Sequence, residues 1–172
     1  MKPLIALSGS GGSSESIPSA VLKIAQEVGR YVAEADAILL SGGRGGLMHE
    51  ACKGAKSAGG LTVGILPFDK SEANPYVDIP IGTGLSYYRN MLLAHSADCI
   101  IVIAGRWGTL SEISAAVIFQ RPLVFLETSA GFVDELIKGE FFSLIPSQYV
   151  VVNSAQDAVD HALRFCLDAK NE

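Results

Sequence analysis

The chain is 172 residues long, 49% apolar and 18% charged, with a formal net charge of −5. That length buries one full core, and the composition excludes a disordered chain. The charges form no blocks and no apolar run reaches the length of a membrane span, so neither nucleic acid nor a membrane is an expected partner.

The N-terminus carries no cleavable signal pattern, and the expectation is a single domain over residues 1–172 in the cytoplasm. Leu4 to Leu7 is the first apolar run and reads as a strand. Residues 8–15 are Gly and Ser with one Glu, a polar loop. Ser16, Ile17 and Pro18 start a helix, because Pro suits the first helical position. Its inward face is Val21, Ile24, Ala25, Val28, Tyr31 and Val32 at helical spacing. Ala37 to Leu40 is the second strand, and residues 46–58 the second helix, with Leu47, Met48, Ala51, Cys52 and Ala55 inward and Gly59-Gly60 as its stop. Small residues on that face let helix and sheet approach closely.

Thr62 to Leu66 is the third strand. The Pro- and Gly-rich stretch 67–86 is long for a loop, so it is functional or partly structured, with a short extra strand at Ile79 to Ile81. Then come a helix at Tyr87 to Ala97, a strand at Cys99 to Ile103 and a helix at Thr109 to Gln120. Pro122 to Leu126 is a strand, Gly131 to Ile137 a short helix, and Val150 to Val152 the last strand. Ser154 caps a final helix that runs through Leu167. Strands alternating with helices predict an α/β fold: a Rossmann-like, doubly wound parallel sheet in three layers, with main-strand order 3-2-1-4-5-6.

In that order three glycine-rich strand ends meet at the carboxyl edge of the sheet. The first is Ser8-Gly9-Ser10-Gly11-Gly12, the second Ser41-Gly42-Gly43-Arg44-Gly45-Gly46, and the third Ala104-Gly105-Arg106-Trp107-Gly108-Thr109. Glycines let the backbone turn sharply and come close to a ligand, and the free N–H groups of a helix start attract anions. The expectation is one phosphate site built from all three turns. Thr109 with Glu112 also forms a T-x-x-E capping box on paper, which by itself only stabilises a helix start. Arg89 at the beginning of a helix opposes the dipole and needs a phosphate or Glu112 as its partner. Arg44 either clamps the phosphate or faces solvent, and Trp107 either stacks on a ligand ring or packs on a partner chain.

Cys52, Cys99 and Cys166 are widely spaced among apolar neighbours and read as buried free thiols in a reducing compartment. His49-Glu50 begins like a zinc-protease motif, but Lys53 stands where the second His belongs, so no metal site is expected.

The two central motifs resemble a known superfamily. Gly42-Gly43-Arg44-Gly45-Gly46-Leu47-Met48, with Gly54-Ala55 and Gly64-Ile65-Leu66-Pro67, is similar to the GGGxxGLM…GA…GIxP pattern of Lonely-guy-like proteins. Tyr88-Arg89-Asn90, Ala97-Asp98 and the stretch from Gly105 to Glu112 resemble its second block. The resemblance covers roughly residues 1–127. The superfamily includes cytokinin-activating phosphoribohydrolases, molybdenum-cofactor carrier proteins and members once labelled lysine decarboxylases; no lysine context here marks a pyridoxal phosphate Schiff base. The YRN and GTLSEI elements are closest to the carrier branch. Arg89 and Glu112 match the hydrolase branch's catalytic pair, whereas Asn90 replaces its Lys, Ala104 its Pro and Arg106 a Gly.

The resemblance therefore implies a binding or carrier protein for a phosphate-bearing, nucleotide-like ligand, either molybdenum cofactor or a nucleotide monophosphate, with no cofactor required. The implied ligand contacts are Gly9, Ser10, Gly11, Gly42, Gly43, Arg44, Gly45, Gly46, Arg89, Asn90, Gly105, Arg106, Gly108, Thr109 and Glu112. The alternative is a nucleoside 5′-monophosphate phosphoribohydrolase, in which Glu112 assists water and Arg89 stabilises the departing charge. A sensor subunit whose ligand controls association is a third reading. The apolar residues of the helices at 87–97 and 109–120 predict a homodimer or homotetramer.

Overall fold

Short, mostly apolar runs pair into one sheet, and its inner strands are buried because helices cover both of their faces. The computed structural model describes residues 1–12, 16–128, 130–139, 145–146 and 148–168, so the first polar loop is seen up to Gly12 and from Ser16, and its residues 13–15 lie outside the described part. The strands are β1 (Leu4–Gly9), β2 (Ile38–Ser41), β3 (Thr62–Leu66), β4 (Ile79–Gly82), β5 (Cys99–Ile103), β6 (Leu123–Leu126) and β7 (Tyr149–Val152). They form a seven-stranded sheet in the order β4-β3-β2-β1-β5-β6-β7, parallel throughout. This is the expected Rossmann-like order, with the short extra strand β4 added at one edge.

The helices are α1 (Ser19–Glu34), α2 (Leu47–Ser57), α3 (Arg89–Ser96), α4 (Trp107–Ile118), α5 (Phe132–Lys138) and α6 (Ala155–Asp168). Side chains alternate across each strand, so β5 sends Cys99, Ile101 and Ile103 to one face and Ile100 and Val102 to the other. The first group joins residues of α1, α2 and α6, such as Val28, Leu47 and Val159. The second joins α3, α4 and α5 through Leu93, Ile113 and Val133. Three layers result. Cys52, Cys99 and Cys166 are buried thiols in no disulfide with one another, and burial raises the pKa of Cys52 and Cys99.

Several helix starts differ from the sequence reading. Pro18 is the N-cap of α1 and lies just outside it, and Gly29 takes the buried place expected of the half-buried Ile24 and Tyr31. A 3₁₀ turn at Ser86–Tyr88 precedes α3, which begins at Arg89 rather than Tyr87. α4 shifts the other way, beginning at Trp107 with Arg106 as N-cap and no side-chain cap. Thr109 therefore lies inside the first turn, and the Thr109–Glu112 capping box does not form. Ser154 does cap α6, its Oγ accepting from the Asp157 N–H at 3.1 Å. The long loop is partly structured, with a 3₁₀ turn at Lys70–Glu72 closed by an Asp69 capping box.

Candidate functional site

β1 pairs with β2 on one side and β5 on the other, with Gly9 opposite Ile103 and Leu7 opposite Ser41. Their carboxyl ends therefore open at one edge, and the three glycine turns lie together there. After β5 the chain reverses through Ala104 (φ 52°) and Gly105 (φ 96°), both left-handed. A Cβ on Gly105 would lie 2.6 Å from the Thr109 side chain. The start of α5 holds this turn, as Val133 and Phe132 donate their N–H groups to the carbonyls of Ala104 and Gly105. Ser10 Oγ accepts from the Gly105 N–H at 3.2 Å, tying the first turn to the third. The first intrahelical bond of α4 runs from Leu110 N to Arg106 O. The N–H groups of the turn before Leu110 have no helical acceptor and face the carboxyl edge.

The second turn is fastened differently. Gly46 has φ 65°, and a Cβ there would lie 2.3 Å from the Ser10 carbonyl, which accepts the Leu47 N–H at 3.0 Å. Asn74 Nδ2 donates to the carbonyls of Gly43 and Arg44. A Cβ on Gly43 (φ 72°) would press on Gly64 at 3.0 Å. Gly42 leaves space for Arg89, whose Nη1 and Nη2 would each lie 2.5 Å from an added Cβ.

A cleft of about 240 Å³ opens between these turns. Of the expected contacts, Gly9, Ser10, Gly11, Arg44, Arg89, Asn90, Arg106, Gly108, Thr109 and Glu112 line it. Gly42, Gly43, Gly45, Gly46 and Gly105 do not: their backbone shapes the turns behind the cleft. Gly12, Ser16, Met48 and Tyr87 also line it without having been singled out. Met48 closes the GLM motif and could have been found there. Ser8, read only as the start of the first turn, and Asn74 give no sign of their partners, which are distant in sequence.

At the cleft floor Glu112 is 6% exposed. Ser8 Oγ donates to Glu112 Oε2, and Arg89 Nη1 stands 3.4 Å from Oε1. Burial raises the pKa of Glu112, opposed by the Arg89 charge and the Ser8 hydrogen bond. Burial lowers the pKa of Arg89; Glu112 opposes that shift and Arg44 adds to it. Arg89 stays a cation at any physiological pH. Its Nη1 has no hydrogen-bond partner among the described residues, the Glu112 contact being an ion pair without hydrogen-bond geometry. Asn90 Oδ1 is also buried without a hydrogen-bond partner among the described residues. Each such group costs about 1–3 kcal/mol until something pairs with it. Arg44 is exposed and meets Glu72 at 3.3 Å, and Arg106 is exposed at the cap of α4. Three arginines and a helix start thus surround one buried carboxyl, an arrangement that attracts anions.

A family model described as the SLOG cluster4 family matches residues 2–158. The chain is 34% identical to the solved molybdenum cofactor binding protein of Rippkaea orientalis, with a TM-score of 0.83 over 95% of this chain and 97% of that one. It is 32% identical to the solved Moco carrier protein of Chlamydomonas reinhardtii, with a TM-score of 0.84 over 98% and 99%. An uncharacterized protein of Archaeoglobus fulgidus is 46% identical over 94 residues, or 55% of this chain; the match spans only 62% of that relative. A cytokinin riboside 5′-monophosphate phosphoribohydrolase of Arabidopsis thaliana is 27% identical over 164 residues, covering 87% of this chain and 70% of that one.

Proposed function

The chain belongs to the SLOG cluster4 family, and we propose that it binds and carries a phosphate-bearing, nucleotide-like ligand, with molybdenum cofactor first in line. The observation that carries this reading is the cleft where Arg44, Arg89 and Arg106 meet the start of α4. Similarity to proteins named as molybdenum cofactor binders and carriers, over nearly the whole of each chain, supports the choice of ligand. The phosphate would sit against the Arg89 guanidinium and the first turn of α4, with Arg106 and Arg44 at the rim. The ligand is cargo in this reading, and the buried thiols suit a reducing cytoplasm.

Phosphoribohydrolase activity is the second reading, supported by the Arg89–Glu112 pair and by the Arabidopsis relative. Three features weigh against it. Asn90 brings no positive charge where the resembling hydrolases have Lys. Ala104 holds φ 52°, which a Pro locked near −65° cannot adopt, so the turn where the sugar would lie has a different backbone. Glu112 accepts a hydrogen bond from Ser8, which occupies one of its two carboxyl oxygens. One lost preorganised electrostatic contact typically costs ~10²–10³ in rate.

Native mass spectrometry of protein purified from cells that make molybdenum cofactor tests the proposal. The expected result is a retained pterin phosphate, with Arg89→Ala weakening binding about ten- to a hundredfold and AMP left essentially uncleaved. Cleavage of AMP at ordinary enzyme rates, abolished by Glu112→Gln, would replace the carrier reading with the hydrolase one.

A further inference from the structure

Asn90 is 2% exposed and lines the cleft from the first turn of α3. Its surroundings fix which way the amide points. Nδ2 donates to the Gly108 carbonyl at 3.4 Å and to Ser111 Oγ at 3.3 Å. A carbonyl oxygen only accepts, so the nitrogen must face Gly108 and the oxygen must face away. Oδ1 is then a buried acceptor with no hydrogen-bond partner among the described residues. The preceding residue in the same cleft, Arg89, holds the complementary group, a buried donor at Nη1 that likewise lacks a hydrogen bond.

We infer that Asn90 is a specificity-determining residue whose Oδ1 receives an O–H or N–H of the ligand, while Arg89 takes an oxyanion of the same molecule. The inference rests on the reading of the cleft as the site of a phosphate-bearing ligand. A phosphate oxygen is disfavoured against Asn90, because Nδ2 is engaged and Oδ1 would meet it acceptor to acceptor. Asn90 thereby keeps its place among the ligand contacts that the resemblance implies, but meets the ligand away from its phosphate. The ligand class narrows to phosphate esters that carry a hydrogen-bond donor close to the phosphate. A ribose hydroxyl and a pterin ring N–H both qualify.

Calorimetry with two ligand series separates them. One is AMP with its 2′-deoxy, 3′-deoxy and 2′,3′-dideoxy forms; the other is neopterin monophosphate with its ring-N-methylated form. Deleting the recognised donor should weaken binding to the unaltered protein about ten- to a hundredfold, because a site built around a hydrogen bond rejects analogues lacking it. A loss in the sugar series assigns a hydroxyl, and a loss in the pterin series a ring N–H. Asn90→Leu, similar in shape, should bind parent and donor-deleted ligands alike, whereas Ser111→Ala, which leaves Oδ1 in place, should still discriminate. Equal binding of all analogues by the unaltered protein overturns the inference while leaving the carrier reading intact, and so does a donor penalty that persists in Asn90→Leu. Failure of both parent ligands to bind removes the carrier reading and the inference with it. The ligand series on the unaltered protein decides the matter even where Asn90→Leu does not fold.

Discussion

Glu112 carries two incompatible roles in the sequence, a cap for its own helix and a member of a charged pair. The structure selects the second because α4 starts two residues early, which turns the carboxyl inward to Ser8 and Arg89. Arg89 opposes its helix dipole, and Glu112 supplies the compensating charge. The burial that raises the pKa of Glu112 has a consequence for stability. Between its ordinary carboxylate range and its raised folded value, the folded state holds more protons than the unfolded one, so stability falls as pH rises through that window. Glu112→Gln cannot titrate, so the melting temperature of the unaltered protein should drop relative to Glu112→Gln as pH goes from about 4.5 upward. Parallel curves across that range would mean that the carboxyl is not shifted by its surroundings.

At the scale of elements, α1 and α2 are held together by their glycines. A Cβ on Gly54 would lie 1.9 Å from the Gln26 carbonyl, and one on Gly29 1.9 Å from the Ala51 carbonyl. The small residues Ala51, Cys52 and Ala55 pack in the core with the sheet, as the sequence predicts, whereas Gly54, outside that predicted face, lets α2 reach α1. This seam supports the cleft, since the first amide of α2 binds the Ser10 carbonyl. Gly54→Ala gains up to about 1 kcal/mol of helix propensity, but it forces backbone away from backbone. The expected net effect is a loss of about 1–3 kcal/mol in urea unfolding. Equal or greater stability would show that the two helices separate at no cost.

For the whole molecule, the outer face of α3 and α4 is the question. Tyr87 and Tyr88 are 82% and 80% exposed, Trp107 is 80% exposed, and Met91, Leu92 and Ile118 are exposed beside them. Ile113 and Ala116, which the sequence reading added to this surface, are buried in the core beneath it. The remaining face is still rich in large apolar side chains, and association through it is the prediction, closed symmetric pairs being the commonest solution. Light scattering at micromolar concentration should return a homodimer or larger, with Leu92→Asp together with Ile118→Asp shifting it to monomer. A monomer from the unaltered chain would contradict the assignment.

The sequence alone determined the sheet. Short apolar runs bounded by glycines, with helical periods between them, admit few arrangements other than a parallel α/β order, and β3 and β5 begin and end where the apolar runs do. It also brought the three glycine turns to one edge, since strand order fixes which carboxyl ends are neighbours. Only the tertiary structure decided what each residue does there. Ser8 is 104 positions from Glu112, Asn74 31 from Gly43, and Arg89 is separated from Gly42 by a helix and two strands. Local patterns report the period of a helix and the chemistry of its ends, whereas partners so far apart in the chain are set by how the layers pack. For that reason the sequence offers the glycines of the second turn only as ligand contacts, while the packing adds that Gly42, Gly43 and Gly46 are places where one piece of backbone, or one arginine, passes close to another.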